Sequence, residues 1–135
     1  MALAQTGSEN TNVIGTQLDS YVTSLNSPVI PERLNTKYNS VGDGFCVAFI
    51  KSNGFEDYRG NARDWIKYVD PSAIGWPGDA ILLNEGGYYK HLALIIGNSG
   101  GYQLVEQNYI GIYIISYRTI PYDYPLIEGI IPRPI

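Results

Sequence analysis

The stretch PGDAILLNEGGYYKHLALIIGNSGGYQLVEQNYIGIYIISYR, residues 77–118, decides the fold. It alternates aliphatic and aromatic runs with breaks rich in Gly and Asn, which is typical of short strands joined by turns. A further apolar run follows between prolines near the end of the chain. The predicted strands cover residues 79–83, 91–96, 102–108, 111–118 and 126–131.

Two helices are expected before these strands. The first runs from about residue 44 to residue 53, with Asp43 or Asn39 as its N-cap. The second covers residues 61–68 and ends before Asp70-Pro71, because the residue before a proline disfavours helical geometry. Helices followed by consecutive strands indicate the α+β class, with an antiparallel sheet of about five to six strands.

The chain divides into an arm and a main domain. Residues 1–38 are polar and form the predicted N-terminal arm, in which residues 16–25 are patterned as a short amphipathic helix. Residues 39–135 form the predicted main domain, and residues 119–135 are its Pro-rich tail. A chain of 135 residues suits one domain with one core.

Composition excludes several classes of function. A net charge of −4 argues against binding of nucleic acid by charge alone. The longest aliphatic stretches, such as residues 92–96, are too short to cross a bilayer, and residues 1–10 lack the pattern of a secretory signal. One Cys and one His make neither an internal disulfide nor a usual structural zinc site. We therefore expect no metal, no cofactor, no nucleic acid and no membrane insertion.

Cys46 is the candidate nucleophile. It lies near the predicted start of the first helix, where unpaired N–H groups and the helix dipole favour a thiolate. A lone Cys is more often a buried structural residue. Cys46 can therefore act as a nucleophile only if a base lies beside its thiol.

His91 is the candidate base. It is the only His, and it opens a predicted strand at the end of the sheet where a base can meet a thiol beside a helix start. Glu106 and Asn108 lie two positions apart in a predicted strand, so alternation places both on one face. Either side chain there would hold the second nitrogen of His91 and fix its tautomer. The alternatives are a structural His and an ordinary solvated strand face.

Five segments together resemble a known family. In order they are GFCVAFIK at 44–51, GNARDW at 60–65, PGDAIL at 77–82, HLALI at 91–95 and VEQNY at 105–109. This arrangement looks like a CHAP domain, a cysteine, histidine-dependent amidohydrolase/peptidase of the NlpC-type cell-wall hydrolases. The resemblance covers about residues 40–110. It implies a papain-like fold with N-terminal helices packed on the antiparallel sheet.

The resemblance also implies roles for the candidate residues. It makes Cys46 the nucleophile, His91 the base, Glu106 the residue that orients His91, and Asn108 a supporting polar residue. Two positions depart from the family pattern. Phe45 stands where many members have Gln, and Lys90 stands where many have Gly, which places a cation at the edge of the cleft.

The implied activity is hydrolysis of an amide bond in the peptide of bacterial peptidoglycan. The bond is either the N-acetylmuramoyl-L-alanine amide or one in the stem or cross-bridge. With no export signal visible, we expect a phage-type lysin that is associated with the virion or released to the wall at lysis, with phage tail or other virion proteins as partners. The alternatives are a structural virion component with this fold and little catalysis, and an acyltransferase or deamidase that uses the same residues.

Overall fold

The computed structural model describes residues 42–134. The predicted N-terminal arm and the amphipathic helix at residues 16–25 lie outside the described residues. No helix within residues 42–134 is long and apolar enough to cross a membrane.

A five-stranded antiparallel sheet forms the centre of the described part of the chain. Its spatial order is β4-β3-β2-β1-β5. The strands are β1 (Ala80–Leu83), β2 (His91–Asn98), β3 (Tyr102–Gln107), β4 (Ile115–Ile120) and β5 (Ile127–Ile131). The α+β class and the antiparallel sheet are therefore confirmed. Nearly every residue of β1 to β4 is buried, which explains why these strands have continuous apolar runs.

Strand β4 begins later than the sequence predicts. Residues 111–118 were the expected strand, but Gly111 to Ile114 form a turn in which the Ile114 N–H donates to the Gly111 carbonyl at 3.1 Å. Tyr113 has a φ of 66°, which is incompatible with an extended strand. The strand therefore starts only at Ile115.

Helix α1 (Cys46–Lys51) is shorter than the predicted span of residues 44–53. Its N-cap is Phe45, and no side chain caps it. The prediction of Asp43 as N-cap is wrong, because the Asp43 carboxylate accepts the N–H of Phe45, before the helix begins, at 3.1 Å. Asn39 lies outside the described residues. Cys46 is thus the first residue of the helix.

A 3-10 helix (Ala62–Tyr68) occupies the position of the second predicted helix. Its Trp65 is fully buried and packs with Phe55 and Tyr58, with ring centroids 6.1 and 5.3 Å away. The indole N–H of Trp65 donates to the carbonyl of Gly60 at 3.2 Å. The GNARDW segment is therefore a packing element that covers one face of the sheet.

The sheet has an apolar cluster on each face. Helix α1 and Trp65 pack on the face that carries Leu82, Leu92 and Val105. Leu83, Ala93 and Leu104 belong to the other cluster. Because side chains alternate along a strand, His91 and Glu106 lie on that second face. Cys46 reaches His91 where β2 begins, at the end of the sheet.

Candidate active site

Cys46 is held at the start of α1 by contacts on its two preceding residues. The Gln107 amide at the end of β3 donates to the carbonyl of Phe45 at 2.8 Å. The N–H of Tyr113 donates to the carbonyl of Gly44 at 3.0 Å. Strand β3 and the loop that follows it therefore fix the backbone that leads to the thiol. The Cys46 side chain is 7% exposed and has no disulfide partner.

His91 is the first residue of β2, and the residue before it explains one departure from the family pattern. Lys90 has a φ of 64°, in the left-handed region that glycine adopts without strain. Its ammonium group lies 2.8 Å from Glu128 Oε1. The cation that the sequence predicts at this position is therefore paired with an acid of β5.

The structure brings three of the four candidate residues together. His91 Nε2 lies 2.8 Å from Glu106 Oε1, and the imidazole also hydrogen-bonds to the Cys46 thiol. With Nε2 on Glu106, Nδ1 is the ring nitrogen that faces the sulfur. All three side chains are buried, and Glu106 is 0% exposed, so the alternative of a solvated strand face is wrong for Glu106.

This environment raises the pKa of His91. Burial by itself lowers the pKa, because it disfavours the imidazolium. The hydrogen bonds to Cys46 and Glu106, with the charges of both, act the other way and together raise it from 6.5 to about 9. His91 is therefore protonated at neutral pH, as a thiolate–imidazolium pair requires.

Asn108 is not part of this arrangement. Strand β3 ends at Gln107, and Asn108 has a φ of 68° in the turn that follows. The expected alternation of Glu106 and Asn108 on one strand face is therefore wrong, because the strand stops between them. The residue that instead connects this end of β3 to the Cys46 segment is Gln107, which the sequence analysis did not single out.

Arg118 is a second residue that the sequence analysis did not single out. It is 3% exposed and contacts Glu106 from β4, with Nε 2.8 Å from Oε2. Arg118 also donates to Glu85 in the turn after β1, and the Tyr124 hydroxyl donates to the same carboxylate. The available signal was an arginine inside an apolar run, since Arg is almost never fully buried unless paired.

Aromatic side chains lie near the site at its surface. Tyr88 and Tyr89 in the loop before His91 are exposed, and the Arg63 guanidinium lies over the Tyr88 ring at 4.4 Å. Tyr109 lies with its ring centroid 6.0 Å from that of His91. Phe45, just before the thiol, is also exposed. Phe45 and Tyr109 give the surface beside the thiol and the imidazole an aromatic character.

Comparison with known proteins places the fold. Two crystal structures of Ly7917 are similar to it. One, with the hydrolyzing product of MDP, has a TM-score of 0.59 at 16% identity over 75% of this chain. The other has a TM-score of 0.56 at 17% identity over 76% of this chain. In both, the match covers 58% of the Ly7917 chain. The matched part of this chain therefore has a fold similar to that of the matched part of Ly7917.

An N-acetylmuramoyl-L-alanine amidase from Staphylococcus aureus gives a TM-score of 0.49 at 20% identity, covering 64% of this chain and 30% of that one. No family model and no curated protein matches the sequence.

The raised pKa of His91 leads to a direct expectation. NMR titration of the only imidazole in the chain is expected to show a midpoint near 9. In Cys46→Ala the midpoint is expected to fall, because one hydrogen bond and one negative charge that favour the imidazolium are gone while burial persists. An unchanged midpoint in Cys46→Ala would contradict the pairing of the two side chains.

Proposed function

We propose that this protein is a cysteine amidase or peptidase that cleaves an amide bond in the peptide of bacterial peptidoglycan, with a papain-like domain of the CHAP type. The observation that carries the proposal is the buried row Cys46–His91–Glu106, in which the imidazole is hydrogen-bonded on both sides. A nucleophile, a base and a group that orients the base are the parts that thiol-dependent acyl transfer needs.

The chemistry follows from these three groups. The Cys46 thiolate attacks the amide carbonyl and forms a tetrahedral intermediate. His91, protonated at neutral pH, gives its proton to the leaving amine, which departs as the acyl-enzyme forms. Water gives a proton to the now neutral His91 and attacks the acyl carbonyl, and the Cys46 thiolate leaves, which restores the starting state. Glu106 holds Nε2 throughout, so that Nδ1 keeps facing the sulfur.

The oxyanion is stabilised by the backbone of Cys46. As the first residue of α1, Cys46 has an N–H with no partner inside the helix. The peptide before it is trans, so this N–H points opposite to the Phe45 carbonyl. Gln107 holds that carbonyl at 2.8 Å and thereby fixes the direction of the donor. Gln107 therefore orients the oxyanion donor through its hydrogen bond to the Phe45 carbonyl.

Two independent lines support peptidoglycan as the substrate. The order of five segments resembles the CHAP family, and the fold is similar to that of Ly7917, whose structure includes the hydrolyzing product of MDP. The exposed rings of Tyr88, Tyr89 and Tyr109 give the site a surface on which sugar and peptide groups can pack. We further propose a phage particle, or release at lysis, as its setting.

Product analysis tests the proposed function. Digestion of purified peptidoglycan should release new free amino groups without new reducing sugar ends, and mass spectrometry of the fragments identifies the amide that is cut. Free lactyl groups on the glycan indicate that the N-acetylmuramoyl-L-alanine bond is cut. Fragments in which the sugar still carries a shortened peptide indicate an endopeptidase. Protein alkylated at its one Cys is the matched control. Release of reducing ends alone, or equal digestion by the alkylated protein, rejects the proposal.

A further inference from the structure

The carboxylate of Glu106 has two partners, His91 and Arg118. The Arg118 Nε donates to Oε2 at 2.8 Å, and a terminal nitrogen of the same guanidinium donates to Oε1 at 3.0 Å. Both side chains are almost completely buried, so water does not compete for these bonds. A planar fork that binds both oxygens fixes the plane of the carboxylate as well as its position.

Glu85 holds the other side of this guanidinium. Arg118 donates to both of its carboxylate oxygens, at 3.0 Å for Oε2, and the Tyr124 hydroxyl also donates to Oε2. Burial raises the pKa of Glu85, but the hydrogen bonds from Arg118 and Tyr124, with the charges of Arg118 and His91, lower it overall. Glu85 is therefore an anion that interacts with His91 through space.

We propose that Arg118 and Glu85 are positioning residues for the catalytic pair: Arg118 fixes Glu106 against His91, and Glu85 offsets the positive charge that Arg118 brings beside the imidazolium. The inference rests on the proposed function. Without Glu85, a buried guanidinium next to His91 would disfavour the imidazolium. Without Arg118, the fork that fixes the plane of the Glu106 carboxylate would be lost.

Charged and titratable groups from the neighbouring elements contact His91 directly or through one another. They are Cys46 from α1, Glu85 from the turn after β1, Glu106 from β3, Tyr109 from the loop after β3, Arg118 from β4 and Tyr124 from the loop after β4. The Tyr109 ring lies 3.8 Å from the Arg118 guanidinium and shields it from solvent. Because Glu106 and Arg118 are buried and Glu85 is mostly covered, a charge removed from these three side chains is felt at His91 with less screening than at the surface.

Titration of His91 by NMR in two charge variants tests the inference. Glu85→Gln removes a negative charge, so the midpoint should fall, by on the order of one pH unit. Arg118→Met removes a positive charge, so the midpoint should rise by a similar order. A purely structural role for either residue would change thermal stability and leave the midpoint in place.

A third variant separates charge from geometry. Arg118→Lys keeps the charge but lacks the planar fork, so the midpoint should stay within a few tenths of a pH unit of wild type. Its maximal rate of wall hydrolysis should fall about 10-fold, because Glu106 is no longer held at both oxygens.

Glu128→Gln, in the Lys90 ion pair, is the matched control for the loss of one acid in Glu85→Gln. It should move the midpoint less than Glu85→Gln does.

The outcomes are distinct. Midpoints that do not move, that move in the same direction in Glu85→Gln and Arg118→Met, or that move equally in Glu128→Gln would overturn the inference. If Arg118→Met does not fold, Glu85→Gln and Arg118→Lys still test the roles of Glu85 and Arg118. Absence of wall digestion by wild type rejects the proposed function whatever the midpoints do. Digestion with unmoved midpoints rejects only the roles of Arg118 and Glu85.

Discussion

Cys46→Ala is expected to lower the rate of peptidoglycan hydrolysis by about 10³-fold or more, since loss of the nucleophile removes covalent catalysis altogether. The side chain is small and lies at the end of the core, so the folded state should lose only about 1 kcal/mol. Solubilisation of labelled peptidoglycan measures the rate, and thermal unfolding measures the stability.

Cys46→Ser is the matched control for this variant, because it keeps the size of the side chain and a hydroxyl in place of the thiol. A hydroxyl is a much weaker nucleophile beside this imidazole, so the rate should remain at least about 10²-fold below wild type. Hydrolysis at the wild-type rate by either folded variant would show that Cys46 is not the nucleophile. A rate per folded molecule equal to that of wild type, with only the amount of folded protein reduced, would show the same.

Glu106→Ala is expected to have the second large effect, on both stability and rate. It leaves the buried Arg118 guanidinium without two of its acceptor oxygens and the buried His91 imidazolium without one. Breaking a buried pair in this way destabilises the folded state by about 3–5 kcal/mol. The rate should fall about 10²-fold or more, because the tautomer and orientation of His91 are no longer fixed. Urea unfolding and wall hydrolysis measure the two effects.

Two controls sharpen this expectation. Glu106→Gln keeps the volume and one carbonyl acceptor, so it should cost less stability than Glu106→Ala while still slowing hydrolysis, since the charge that favours the imidazolium is gone. Glu128→Ala breaks the partly exposed pair with Lys90 and should cost no more than about 1 kcal/mol. Equal destabilisation by Glu106→Ala and Glu128→Ala would contradict the buried charge network.

The sheet was predictable because each strand is a short apolar run bounded by Gly, Asn or Pro. Four of the five predicted strands start within one residue of their observed start. The exception is β4, which begins at the last residue of the unbroken apolar run from Ile112 to Ile115. This run has no period of two, so it does not mark where the strand starts. The boundary comes instead from a long-range contact, the hydrogen bond of the Tyr113 N–H to Gly44.

The candidate site was predictable only in part. Cys46, His91 and Glu106 lie in short sequence motifs. The order of these motifs along the chain carries the resemblance to the CHAP family. Arg118 contacts Glu85 across 33 positions, a separation at which no local pattern links the two residues. Lys90 pairs with Glu128 across 38 positions, so the sequence indicates the cation but not its partner. Ion pairs between distant strands depend on sheet register, and register becomes known only from the structure.

Gly44 limits how the site can vary in evolution. A Cβ at this position would lie 2.5 Å from the ring of Tyr113, and its φ of +83° is one that side chains other than glycine's rarely adopt. The hydrogen bond between the same two residues ties the loop that carries Tyr109 to the segment before Cys46. A change in the length of that loop would therefore shift the thiol itself. New substrate preferences in descendants of this protein should arise by exchange of the exposed rings at constant loop length, and seldom by insertion or deletion.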